Sequence, residues 1–217
     1  MMVRNSRDTD GEDLPPETGQ DAGPARATRG PRRAPARAAV VDEPLDDALL
    51  ARLDRADELA AAGSAAEAAE AYSAVIAVSP DLVRAVTGLG AALAAQRKFD
   101  AAEKELRRAQ RLAPDSFEVH LQLGTALYKR GVYAAAVTAL RRAVELDGTS
   151  VPAYLILGEA LNQLAESDAA IEALEEAVRL QPENSRAYYA MGIAYDRKGN
   201  PERAAEMYRL SRETSNR

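Results

Sequence analysis

From Leu49 onward, apolar side chains return in the same order every 34 residues without a gap. Five units follow, at 49–82, 83–116, 117–150, 151–184 and 185–217. Counted from the first residue of each unit, position eight holds Ala56, Gly90, Gly124, Gly158 and Gly192, and position twenty holds Ala68, Ala102, Ala136, Ala170 and Ala204. Positions seven and eleven are apolar in the last four units, as in Leu89 and Leu93 or Leu157 and Leu161. Position twenty-four carries Tyr72, Leu106, Leu140, Leu174 and Tyr208. Positions four, seven, eight and eleven share one face of a helix, and positions twenty, twenty-four and twenty-seven share one face of another. Each unit is therefore predicted as two helices. The small residues at eight and twenty let their backbones approach, and Leu or Tyr fills the space around them.

The punctuation agrees with this reading. Gly63, Gly131 and Gly199 fall between the two helices of their units, where a left-handed residue favours glycine. Arg97 and Ala165 stand there in the other two units, which predicts slightly different turns. The stretches "RLAPDS", "ELDGTS" and "RLQPENS" join successive units: a Leu anchors the end of one helix, a Pro or Gly stops it, and Asp, Ser or Asn caps the next. Pro201 falls in the first turn of the last unit's second helix, where the missing N–H costs nothing. A single helix pair cannot bury both of its faces, so each unit needs its neighbour and the same joint recurs.

Residues 1–44 show neither period. Acids come first (Asp8, Asp10, Glu12, Asp13, Glu17, Asp21) and arginines second (Arg26, Arg29, Arg32, Arg33, Arg37), with Pro, Gly and Ala between them. Such a segment has too little apolar surface to offset the entropy of ordering it, and it is expected to be a disordered arm preceding the repeat domain, 45–217.

A bulky residue at four, Leu at seven, Gly at eight, Ala at twenty and twenty-seven, and Pro at thirty-two together resemble the tetratricopeptide repeat. Tyr154, Leu157, Gly158, Leu161, Ala170, Leu174, Ala177 and Pro182 carry the resemblance almost throughout the fourth unit. It implies an all-α fold, a right-handed α-solenoid of antiparallel helix pairs. The polar Arg52 and Arg55 of the first unit, and Ser211 and Asn216 of the last, are departures suited to terminal units facing water. The separate solvating helix that often closes such arrays is missing, so the last helix is expected to be less covered than usual.

In repeats of this kind the first helices line a concave groove. Carried onto this sequence, the groove positions give an apolar strip of Leu121, Tyr128, Leu155, Tyr189 and Ile193 in the second half, with Glu159, Asn162 and Arg197 expected to orient a bound segment. The first half offers Arg84, Thr87, Ala91, Ala94 and Ala95 at the same positions. The family's basic clamp for chaperone C-terminal carboxylates finds no matching set of Lys, Arg and Asn in any frame. The alternative use of the array is self-association, in which the uncovered final helix docks on another copy through Met207, Tyr208 and Leu210.

Composition narrows the remaining classes. With no Cys and one His, thiolate and sulfur-ligated metal chemistry have no residues to use, and His120 occupies the packing slot that Tyr154 and Tyr188 fill in later units. The glycines of "GLGAALAAQ" follow no strand, and Gly90 already serves the repeat. No catalytic residue, metal or cofactor is expected. A net charge of −6 disfavours nucleic acid, and the Arg-rich arm has no aromatic side chain to stack on bases. The N-terminal "MMVRNSRDTDGED" lacks an apolar core, the acids after Val41 interrupt any export signal built on Arg32 and Arg33, and no stretch is long enough for a membrane span. These features point to a cytoplasmic protein. The abundance of Ala and of Arg over Lys resembles a GC-rich bacterial genome. Second helices carry Arg107, Arg108, Arg111, Arg141 and Arg142 in the middle units against Glu172, Glu175 and Glu176 in the fourth, a pattern that reads as a solvated outer face or as opposite stripes able to steer a partner. Taken together, the sequence predicts a non-enzymatic adaptor that holds an apolar helix or peptide of another protein.

Overall fold

The computed structural model describes residues 46–216. The expected disordered arm, with its acids and arginines, lies outside the described residues, as does Arg217. Ten helices and no strands occur among the described residues. The first helices of the pairs are α1 (Asp47–Ala61), α3 (Val83–Ala95), α5 (Phe117–Arg130), α7 (Val151–Gln163) and α9 (Ser185–Arg197). Their partners are α2 (Ala65–Val78), α4 (Phe99–Leu112), α6 (Tyr133–Leu146), α8 (Ser167–Leu180) and α10 (Pro201–Ser215). The ten helices accommodate five repeats.

Each helix packs on the next in sequence. Across units the first helices also touch one another, α1 on α3 and so on to α7 on α9, whereas among the described residues no second helix reaches another. The stack therefore bends with the first helices on its inner, concave side and the second helices outside.

Close approach within a pair depends on position eight. A methyl group added at Gly90 or Gly124 would lie 2.5 Å from the Cγ of Leu106 or Leu140, and at Gly158 or Gly192 it would overlap Leu174 or the Tyr208 ring. Position twenty supports the same contact from the second helix, since Ala68, Ala102, Ala136 and Ala170 are completely buried. Leu106, Leu140 and Leu174 are completely buried as well. Burial of each such leucine is worth about 1.5–3 kcal/mol.

The turns between paired helices are all built alike. The position-fifteen residues Gly63, Gly131 and Gly199 have φ of +78°, +89° and +72°, and Arg97 and Ala165 take φ of +62° and +60°. The expected difference at Arg97 and Ala165 is confined to a somewhat smaller φ than that of the glycines. In every turn two backbone bonds close the helix end, for example Val132 N–H to Leu127 C=O at 2.9 Å and Gly131 N–H to Tyr128 C=O at 3.0 Å. The same two bonds form at Lys98 and Arg97, and at Glu166 and Ala165. Packing of the pair thus forces two L residues into a region that costs them roughly 1–2 kcal/mol each. The joints between units are capped as their sequences suggest: Ser116, Ser150 and Asn184 accept hydrogen bonds from Val119, Ala153 and Ala187 N–H. Pro201 opens α10 behind the cap Asn200.

Many of the outer arginines interact with other parts of the chain. Arg108 donates to the Pro80 carbonyl at 2.6 Å and pairs with Asp81 of the preceding joint at 3.5 Å. Arg142 repeats the pairing with the joint's aspartate one unit on, with Asp115 at 2.7 Å. Arg130 pairs with Asp100 and Lys198 with Asp168 of the unit before. Such exposed pairs fix register more than they add stability.

Two predictions follow from the packing. Replacing Arg97 or Ala165 by glycine relieves the left-handed strain, and each variant is expected to gain about 1 kcal/mol, a rise of roughly 2–4 °C in thermal midpoint. Conversely, Gly158→Ala is expected to lose roughly 1–3 kcal/mol by overpacking. Its cost should largely disappear in a Leu174→Ala background, and chemical unfolding of the four proteins of that cycle measures the coupling.

Candidate functional site

The inner face divides into two unlike halves. In the second half large side chains fill the surface. Tyr128 on α5 lies 5.9 Å from the Tyr133 ring, and burial, followed by the charge and hydrogen bonding of Glu159, holds its phenol above its ordinary pKa. Glu159 on α7 accepts two hydrogen bonds from the Arg186 guanidinium of α9, at 2.5 and 2.6 Å. Tyr128, Glu159 and Arg186 thus form one network across three successive first helices. Tyr189 on α9 is 56% exposed, and its ring lies 5.6 Å from that of Tyr208. Leu121 and Ile193 are half-buried and Arg197 is exposed.

Two residues expected in the apolar groove are not available to a ligand. Leu155 is only 8% exposed and packs with Met191, Ala187 and Leu174. Asn162 is 3% exposed and donates its amide to the Ala190 carbonyl of α9 at 2.8 Å, so it pins adjacent first helices together instead of orienting a bound segment. The last unit likewise offers less to a second copy than its sequence suggested. Met207 is 7% exposed within the core of α8, α9 and α10, and Tyr208 lies over Gly192 and donates to Asp196 at 2.7 Å. Leu210 is half-buried against the same core.

In the first half the inner face opens into a concavity of about 600 Å³, lined from α1 to α5 by residues that include Asp57, Tyr72, Arg84, Thr87, Ala91 and Glu118. The cause is the size of the side chains. Where the later units place Tyr128 and Asn162, the first two place Ala60 and Ala94, and Ala91 stands where the fourth unit has Glu159. The Tyr72 ring crosses from α2 onto Gly88 of α3, where any β-carbon would collide with it, and so forms part of the wall. Sequence reasoning looked for large groove side chains and missed this hollow, although the run Ala60, Gly88, Ala91, Ala94 signalled it.

The polar groups of the concavity are organised around Asp57. Tyr72 donates its hydroxyl to Asp57 at 2.5 Å, and Arg84 pairs with both Asp57 and Asp54, the latter at 3.1 Å. Burial, then the hydrogen bond and charge of Asp57, raises the Tyr72 pKa. At the far wall Gln122 donates to Glu118 at 2.6 Å. Thr87 is 5% exposed, and its hydroxyl has no hydrogen-bond partner. His120, on the other side of α5, is buried with Nε2–H donated to the Pro114 carbonyl at 2.7 Å. Among the described residues no three His, Asp or Glu side chains converge as a metal site, and no helix is long and apolar enough to cross a membrane.

Stacked antiparallel pairs with one inner face lined by first helices define an α-solenoid. The chain belongs to the tetratricopeptide repeat family: descriptions of the tetratricopeptide repeat match residues 59–126 and 121–166, and one of the TPR repeat matches residues 158–199. Solved structures share the fold. A crystal structure of MamA is 29% identical over 74% of this chain and 94% of its own, with a TM-score of 0.67. MamA from Desulfovibrio magneticus RS-1, residues 41 to the end, is 23% identical over 79% of this chain and 97% of its own, with a TM-score of 0.71. YrrB, described as a TPR protein with an unusual peptide-binding site, is 23% identical over 75% of this chain and 84% of its own, with a TM-score of 0.65. No curated protein matches the chain.

The Tyr208 environment yields a test of the last pair. Burial, then its hydrogen bond to Asp196, pushes the Tyr208 pKa up to about 12 from an ordinary 10.0. The folded state favours the neutral phenol, so this contribution to stability is complete below pH 10 and is lost as pH rises towards about 12. Urea unfolding at a series of alkaline pH values should show a steeper loss in the wild-type chain than in Tyr208→Phe.

Proposed function

We propose that this chain is a non-enzymatic adaptor that holds a short segment of another protein, helical or extended, along its concave face. The observation that carries this reading is the hollow of about 600 Å³ built by side chains of three successive units. Its volume falls in the range of pockets that enclose ligands. Tyr189, Ile193, Leu121, Tyr128 and Arg197 extend the contact surface into the second half, with Glu159 oriented through Arg186. An exposed tyrosine beside apolar neighbours is the kind of residue on which binding energy concentrates. The architecture leaves this inner face free because the array closes its core through neighbouring units alone.

Selection of a displayed random-peptide library against the intact chain tests the proposal. A shared short motif is expected, and peptides carrying it should bind about tenfold more weakly to Ala91→Leu, which fills the hollow, and to Tyr189→Ala. Failure to select any motif, or binding indifferent to both substitutions, would overturn it.

A further inference from the structure

The first-half hollow has a chemistry of its own, and it differs from that of a carboxylate clamp. Three carboxylates stand on or beside it, Asp54, Asp57 and Glu118, against the single guanidinium of Arg84. The balance is two uncompensated negative charges. Arg84 directs its Nη2 at both Asp54 and Asp57, so its positive charge is already offset by two carboxylates. An incoming carboxylate would meet like charge on both walls.

A second observation points to a ligand. Thr87 lies in the lining, is 5% exposed, and leaves its hydroxyl oxygen without a partner. Other helical hydroxyls here bond back to the carbonyl four residues earlier, as Thr125 does to Leu121 at 2.7 Å and Ser73 to Ala69 at 2.7 Å. Thr87 does not. A buried hydroxyl left unpaired costs about 1–3 kcal/mol, and a turn about the Thr87 Cα–Cβ bond that brings it to a donor in the hollow would recover that. The lining also includes the Tyr72 ring, Ala60, Ala91 and Gly88, which make much of it apolar. An apolar lining with carboxylates on opposite walls matches a long aliphatic stem carrying a positive head.

We propose that the hollow between α1, α3 and α5 is a subsite for a lysine or arginine side chain of the bound protein segment. The stem lies along Tyr72 and Ala91, and the head donates to Glu118, Asp57 and the Thr87 hydroxyl, with charge-assisted bonds supplying the selectivity. The inference rests on the adaptor reading and specifies which segments that adaptor accepts. It also assigns Arg84 a role opposite to that of a clamp: it moderates the negative charge of the subsite, and its removal strengthens the subsite's hold on a cation.

The test uses the intact chain and pools of seven-residue peptides, capped at both ends, that are randomised except at a fixed central residue of lysine, arginine, norleucine or glutamate. The lysine or arginine pool is expected to bind about tenfold better than the norleucine and glutamate pools. Glu118→Gln and Thr87→Val should each weaken the preferred pool several-fold, Ala91→Leu should remove its binding, and Arg84→Gln should strengthen it and steepen its salt dependence. All four variants are first checked for an unchanged circular dichroism spectrum. Pools that bind with no preference for a cation would overturn the subsite and leave the adaptor standing. Absence of binding by every pool would remove both. Glu118→Gln and Arg84→Gln shifting affinity in the same direction would also overturn the subsite, since only charge complementarity gives them opposite signs.

Discussion

The contact on which this architecture depends is the one between position eight of a first helix and position twenty-four of its partner. Glycine at Gly90, Gly124 and Gly158 receives Leu106, Leu140 and Leu174 with no room for a β-carbon. That contact sets the distance between paired helices, and the distance in turn fixes the turn. The residue between the helices must go left-handed for the chain to return on so close a line, and Arg97 and Ala165 do so despite their side chains. Glycine in a helix sacrifices about 1 kcal/mol of intrinsic propensity, and four of the five pairs accept that loss because the leucine or tyrosine packed on it more than offsets it.

A skeleton this uniform can still carry a non-uniform inner face. Groove positions lie on the first helices but outside the eight-to-twenty-four contact, so their side chains vary without disturbing the stack. In the last three units they are large and interlinked: Tyr128, Glu159 and Arg186 tie consecutive first helices, and Asn162 reaches the Ala190 carbonyl. In the first two units they are small, and the space they leave is bounded by charged groups. Tyr72 illustrates how one substitution changes a surface. Where leucine at this position stays within its own pair, the tyrosine crosses to Gly88, reaches Asp57 and becomes a wall of the hollow.

Almost all of the fold was legible in the sequence because its determinants are local and periodic. The 34-residue interval, the small residues at eight and twenty, the caps Ser116, Ser150 and Asn184, and Pro201 at a helix start all act within one unit or its joint. What escaped depends on relations between units. Leu155 occupies a groove position yet is sealed by α9, and Asn162 is spent on a backbone carbonyl twenty-eight residues away. Met207 is drawn into the core that α8 and α9 present to it. The first-half hollow was missed for the opposite reason: it is made by side chains that are not large, and a search for candidate anchors passes over alanine and glycine.

The arrangement of inter-unit contacts has a mechanical consequence. Successive units meet chiefly where each second helix packs on the first helix of the next unit, with lighter contact between first helices on the inner side and exposed pairs such as Arg108 with Asp81 and Arg142 with Asp115 on the outer side. The outer pairs are the part of that seam which dissolved ions soften, whereas the buried packing is indifferent to them. Like a watch-strap held by its pins and not by its rim, the stack is kept together through the packed middle of each joint, and the salt-sensitive pairs only trim it.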